Sequence, residues 1–124
     1  MHTKKIIAAL VGLALGLSAF AGYQEYNKSY SGEGGEDYWF LNVPTNATVN
    51  AQVSAGGGAG SSIAGLVVAG PPSGVVVQCF AQGYPGSYGW DRGSAAIGPG
   101  LFEIYFFGYP DEFGYASCSA SFSW

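Results

Sequence analysis

Between residues 116 and 124 the chain reads ASCSASFSW. Ser117, Ser119, Ser121 and Ser123 fall on one side of an extended backbone, and Cys118, Ala120, Phe122 and Trp124 on the other. A side-chain period of two is the mark of a half-buried β-strand. Weaker versions of the same pattern precede it. Residues 38–43 (YWFLNV) stop at Pro44, and residues 47–54 (ATVNAQVS) place Val49 and Val53 on one face. Residues 63–69 (IAGLVVA) form a short apolar run that ends at Gly70-Pro71-Pro72-Ser73-Gly74, and residues 75–82 (VVVQCFAQ) and 101–107 (LFEIYFF) supply two more. Gly, Pro, Ser and Asn separate the runs, and apolar residues do not recur at helical spacing beyond the N-terminus. Seven or so short strands in about a hundred residues predict an all-β chain folded as a single antiparallel β-sandwich.

The N-terminus departs from this pattern. Lys4 and Lys5 precede an uncharged apolar run over residues 6–17, and Ser18-Ala19-Phe20-Ala21 supplies small residues in an A-x-A arrangement. Charge, a short apolar core and a small-residue site in that order predict a secretory signal peptide over residues 1–21. The expected organisation is therefore a signal peptide (1–21), a polar N-terminal arm (22–36) and a sandwich domain (37–124), exported to the periplasm or beyond. Contact with the membrane is expected only through the export signal.

Removing Lys4 and Lys5 takes the formal charge from −4 to −6 and leaves Lys28 and Arg92 as the only basic residues. Nucleic acid is excluded as a ligand class, since binding it requires Lys and Arg to neutralise phosphates. The one histidine, His2, lies in the predicted signal peptide. Acid–base catalysis by histidine, Ser-His-Asp and Cys-His pairs, and histidine metal sites are excluded with it. The expectation is a non-enzymatic protein with no cofactor and no metal. Gly60-Ser61-Ser62-Ile63-Ala64 places a glycine two residues before a serine, but no base is present to activate that serine. Two cysteines in an exported chain predict one disulfide, Cys79–Cys118, with both side chains on core-facing positions of their strands.

One pattern is written twice. GYPGSYGW begins at Gly83 and GYPDEFGY at Gly108; both read Gly-Tyr-Pro, two small or polar residues, an aromatic, Gly, and a second aromatic. Each lies a few residues from a cysteine, so the predicted bridge would hold both at one end of the sandwich. Tyr84, Tyr88, Trp90, Tyr109, Phe113 and Tyr115 are the candidate binding residues. Such rings either fold back to cap a small core or stand exposed as a binding surface. Trp90 is the preferred contact, because the polar Asp91-Arg92 pair follows it.

Carboxylates gather at Glu33, Glu36 and Asp37 and again at Asp111 and Glu112. Neither group has the Asp-x-Asp-x-Asp-Gly spacing of a calcium loop, and solvated charge is the expected role.

The stretch Asp37-Tyr38-Trp39-Phe40-Leu41-Asn42-Val43-Pro44, followed by Asn46-Ala47-Thr48-Val49, resembles the opening of bacterial pre-peptidase C-terminal domains. Gly98-Pro99-Gly100-Leu101-Phe102-Glu103-Ile104-Tyr105 is similar to their Pro-Ala-Gly-Thr-Tyr-Tyr strand, and Gly108-Tyr109 with Tyr115 to their closing segment. Gly65-Leu66-Val67-Val68 lacks the Asp that the family's central strand carries. The resemblance implies a secreted, jelly-roll-like sandwich with an accessory, non-catalytic role. Together these readings give an exported binding module whose aromatic loops contact polysaccharide or a cell-envelope protein. The alternative is a subunit of an extracellular fibre or matrix, self-assembling by lending residues 22–36 to a neighbour's sheet.

Overall fold

A computed structural model describes residues 21–56 and 60–124. Eight strands make up the fold: β1 (Tyr23–Ser31), β2 (Gly35–Val43), β3 (Ala47–Gly56), β4 (Ser62–Gly70), β5 (Gly74–Gly83), β6 (Tyr88–Ile97), β7 (Gly100–Pro110) and β8 (Tyr115–Ser123). The predicted signal peptide lies, apart from Ala21, outside the described residues.

The strands pair as if one long hairpin had been folded over on itself. β4 pairs with β5 across the Gly70–Gly74 turn, β3 with β6, β2 with β7, and β1 with β8, all antiparallel. Two further pairings, β3 with β8 and β4 with β7, join these into sheets of order β1-β8-β3-β6 and β2-β7-β4-β5. Apart from β4–β5, every consecutive pair of strands crosses from one sheet to the other. This is the double-sheet jelly-roll arrangement, and the sandwich expected from the alternation is the fold observed.

Alternation decides what fills the gap between the sheets. The β2-β7-β4-β5 sheet sends in large side chains, among them Trp39, Leu66, Phe102, Ile104 and Phe106, all buried. The other sheet answers chiefly with Val49, Ala51, Val53, Ala116, Cys118 and Ala120, and with Tyr26, Tyr30 and Phe122 as its large residues. Tyr26 and Trp39 meet across the gap at 5.1 Å between ring centroids, and Trp39 meets Phe106 edge-on at 4.9 Å. Bulk facing small residues lets two sheets interdigitate at interior density.

Two segments differ from the sequence expectation. Residues 22–36 are not an arm: β1 occupies most of them and pairs along its whole length with β8, from Tyr23↔Ser123 to Ser31↔Tyr115. Its inward positions are Gln24, Tyr26 and Tyr30, which bury well yet read as polar. Strand exchange of the kind a fibre subunit would use must first break that pairing. Residues 88–97, where the sequence suggested the end of the first aromatic loop and then a connection, form β6.

The disulfide is also corrected. Cys79 and Cys118 are both buried, as the alternation required, but they are free thiols. Cys118 sits on β8 with its Sγ 3.3 Å from the Gly65 carbonyl of β4, to which it donates. Cys79 lies on β5 under Gly93 of β6, where an added Cβ would lie 3.7 Å from its Sγ. β6 is two strands from β8, an offset of roughly 10 Å at ~4.8 Å per strand. A disulfide needs Cα atoms within about 7 Å.

Candidate functional site: the two outer faces

Both aromatic loops do lie at one end of the sandwich, by strand register rather than by a bridge. Gly83 of β5 and Pro110 of β7 both pair with Ser62 at the start of β4. All six candidate rings are exposed, Tyr84, Tyr88, Trp90 and Phe113 by more than half, and so they do not cap the core. They do not form one surface either. Only residues 84–87 and 111–114 lie outside the strands, and the rest of each repeat is strand. Tyr84 and Phe113 stay in the connections at the end. Tyr88 and Trp90 on β6 and Tyr115 on β8 point outward from one sheet, while Tyr109 on β7 points outward from the other.

The β2-β7-β4-β5 sheet, hereafter the aromatic sheet, carries a feature that the sequence reading missed. Tyr105, Phe107 and Tyr109 alternate along the outer side of β7, and Tyr38 joins them from β2, directly opposite Tyr105. Ring centroids are 4.6 Å apart for Tyr38–Tyr105, 5.7 Å for Tyr105–Phe107 and 5.9 Å for Phe107–Tyr109, with interplanar angles of 33°, 37° and 31°. Phe40, Phe80 and Leu101 extend this face, each at least half exposed. Phe107 lies across its register partner Gly65, close enough that an added Cβ would stand 2.1 Å from its Cζ. Only glycine leaves room for the ring to lie down on the sheet.

The polar ends of the row are fixed. The hydroxyls of Tyr105 and Tyr109 donate to Glu36, at Oε1 (2.6 Å) and Oε2 respectively. These two bonds hold the Glu36 carboxyl below its usual range and push both phenols up. The signal available in the sequence was LFEIYFFGY itself: every outward position of that run is Leu, Glu, Tyr, Phe or Tyr.

The β1-β8-β3-β6 sheet, the serine sheet, presents the opposite chemistry. Its outer side carries the β8 serines, Asn50, Gln52 and Ser54 of β3, and Trp90, Arg92 and Ser94 of β6; Ser54 and Ser117 share a 2.6 Å hydrogen bond. An open groove runs between Asn50, Gln52, Arg92, Ser94, Ser119 and Ser121. Tyr23 of β1, opposite Ser123, stands exposed at the far end, and the other outward aromatics lie towards the loop end. Tyr88 and Tyr115 both pair with Gly56 and approach to 6.4 Å, and the Arg92 guanidinium lies 4.7 Å over the Trp90 ring.

The acidic groups are separated by alternation and by hydrogen bonding. Glu36 faces outward, while its neighbour Asp37 turns to the seam between the sheets, accepting from the Tyr30 hydroxyl at 2.8 Å with Lys28 Nζ at 3.9 Å. Asp111 is a loop clamp rather than free surface charge. Its carboxylate accepts from the amides of Ser61 (2.7 Å) and Phe113 (3.1 Å), which lower its pKa. Asp91 accepts from Phe80 N at 3.1 Å and so covers the exposed edge of β5. Among the described residues there is no cluster of three or more metal-ligating side chains.

No family model and no curated protein matches the chain. Among solved structures, the C-terminal CBM6 of LamC, a marine laminarinase from Zobellia galactanivorans, is 8% identical with a TM-score of 0.44 over 85% of this chain and 91% of that one. A family 35 carbohydrate binding module from Clostridium thermocellum is 12% identical with a TM-score of 0.39, covering 81% and 90%. A chain of infectious bursal disease virus, Gx strain, is 10% identical with a TM-score of 0.44 over 85% of this chain, which spans about a third (32%) of the viral one. At these identities the likeness is one of fold alone.

Proposed function

We propose that the protein is an exported, non-catalytic binding module that lays its aromatic sheet against a polysaccharide. The observation that carries this reading is the row Tyr38–Tyr105–Phe107–Tyr109, seated on Gly65 and tied at its polar ends to Glu36. Sugar rings present flat C–H faces edged by hydroxyls. A row of flat aromatic faces with phenolic and carboxylate groups beside it matches that amphipathic pattern. Rings that are already ordered lose little further freedom on binding, which favours affinity from modest contact area. A contiguous apolar face of this breadth marks an interaction surface in a soluble protein.

The test is depletion of the protein from solution by insoluble cellulose, chitin and β-1,3-glucan, comparing the wild-type chain with Tyr105→Ala. Saturable depletion by at least one polymer, lost in the variant, is the expected result. A folded wild-type protein that remains in solution with every polymer, or a variant depleted equally well, overturns the reading.

A further inference from the structure

Arg92 has a setting that the aromatic row does not explain. It is one of two basic residues among those described, and the other, Lys28, is committed to Asp37. No carboxylate among the described residues lies within ion-pair distance of the Arg92 guanidinium. Asp91, next in sequence, is occupied by the amides of Phe80 and Arg92. The only acid on the outer side of the serine sheet is Glu25, which belongs to β1. Three strand spacings separate β1 from β6 in the order β1-β8-β3-β6, which puts Glu25 roughly 14 Å away. A lone exposed guanidinium in a strongly acidic protein is thus kept clear of its own acids. Trp90 props it in place, and it stands over a groove whose other walls are two amides and three serines.

We infer that this groove is a second site, for the carboxylate of an isolated uronate residue in an otherwise neutral saccharide. The inference rests on the reading that the protein binds saccharides and deepens it by naming a ligand class for the other face. Each part of the groove has a counterpart in that ligand. The planar guanidinium fork donates two parallel hydrogen bonds to a carboxylate, which an ammonium does not reproduce. Asn50 and Gln52 each offer a donor and an acceptor to sugar hydroxyls, and Ser94, Ser119 and Ser121 do the same on a smaller scale. Beyond the groove, past Trp90, Ser54 and Ser117 and about 13 Å along the strands, the Tyr88–Tyr115 pair over Gly56 offers ring surface on which a sugar farther along the same chain can stack. One cation matches one carboxylate. A polyanion would meet the protein's own negative field with a single positive group to offset it, so dense uronate or sulfate polymers are the poorer fit.

The experiment is calorimetric titration with a matched pair: a xylo-oligosaccharide carrying one glucuronate, and the same oligosaccharide without it. Variants Arg92→Gln and Arg92→Lys are run alongside the wild type. The substituted ligand should bind saturably and at least tenfold more tightly than the neutral one. Arg92→Gln should erase that difference, and Arg92→Lys should recover only part of it. Equal affinity for the two oligosaccharides, no binding of either at millimolar concentration, or full affinity in Arg92→Gln overturns the inference. So does polygalacturonate binding that exceeds the substituted ligand and survives Arg92→Gln, because that signals charge density rather than a site. Depletion by insoluble polymer reads the aromatic sheet and titration reads the groove, so either proposal can fail without the other.

Discussion

The two outer faces of the sandwich are built alike and finished differently. Each sheet has four antiparallel strands, and each seats an aromatic ring on a glycine directly across the ladder, Phe107 on Gly65 and Tyr115 on Gly56. On the aromatic sheet that ring is one member of a continuous row. On the serine sheet the corresponding pair stands at one end, and serine and amide side chains fill the middle, flanked by Trp90 and Arg92 on β6 and by Tyr23 and Glu25 on β1. The difference lies in single alternating positions of β7 and β8. Inward, β7 contributes Phe102, Ile104 and Phe106 where β8 contributes Ala116, Cys118 and Ala120, and that mismatch in bulk packs the core. Outward, the same two strands offer Tyr105, Phe107 and Tyr109 against Ser117, Ser119 and Ser121. One fold therefore carries two surfaces of different chemistry, and each can be altered without touching the core.

The sharpest way to break the comparison is to remove rings from one face only. The double variant Tyr105→Ala/Phe107→Ala loses two aromatic contacts, each worth about 1.5–3 kcal/mol when fully covered by a partner. Depletion by insoluble polysaccharide should weaken by at least about a hundredfold, since ~1.4 kcal/mol corresponds to a factor of ten. Trp90→Ala, on the other face, should leave it within about twofold. Equal losses from both variants would mean that the faces do not act separately.

A finer cut uses the seats instead of the rings. Gly65→Ala places a methyl group against Cζ and Cε1 of Phe107, the far end of a side chain that is free to swing outward. The fold should survive with little change in thermal midpoint while polysaccharide binding falls by roughly tenfold, the contribution of one displaced ring. Gly56→Ala pushes on Tyr115 in the same way. It should disturb the Tyr88–Tyr115 pair and spare the aromatic row. An unchanged isotherm in Gly65→Ala would show that the flat seating of Phe107 has no part in recognition.

How much of this was legible beforehand depended on how loudly each strand advertised its inner face. β8 and β7 alternate or run apolar, and both were readable. β6 was not, because its inward positions are Gly89, Asp91, Gly93 and Ala95 before the buried Ile97 at its last residue, and a strand with so little to bury leaves no periodic trace. β1 hid in a similar way behind Gln24, Tyr26 and Tyr30. The exposure of the repeated rings and their common end of the sandwich agree with one of the two sequence readings. Their division between two faces does not follow from sequence at all. In the first repeat the strand ends at Gly83, so Tyr84 lies in the turn; in the second it runs on to Pro110, so Tyr109 lies on the sheet. The aromatic row depends on the lateral order β2-β7, a long-range pairing that no local pattern encodes. The same gap explains the cysteines: alternation aims both at the core, but only register shows that they stand over different strands.

Those thiols give a smaller test of the contrast between edge and centre. Burial pushes Cys79 up to about 11 and Cys118 up to about 12. Only the thiolate reacts, so neither should be modified quickly by an alkylating reagent near pH 8 while the protein is folded. Cys79, on the edge strand β5, should react first; Cys118, between β1 and β3, should follow more slowly, and denaturant should release both. A chain that yields no thiol even when unfolded would contradict the free cysteines.

The smallest effect expected is an acid limb in polysaccharide binding. The phenols of Tyr105 and Tyr109 favour the ionised form of Glu36 and lower its pKa, so the sign is that of a depressed acid. The anchoring is complete above the ordinary carboxylate pKa and is lost as pH falls through the lowered value. Binding should stay level from neutral pH down to the ordinary carboxylate range and decline only below it. Glu36→Gln should flatten that decline, since an amide cannot titrate, and should weaken binding at neutral pH by a few-fold because a neutral oxygen is a poorer acceptor for the phenols. Asp111 is lowered by its backbone partners and loses its clamp over a similar range. Asp111→Asn is therefore the control, changing the acid dependence of thermal stability but not that of binding. A binding limb that persists in Glu36→Gln and disappears in Asp111→Asn would assign the pH effect to the loop end and remove Glu36 as the anchor of the row.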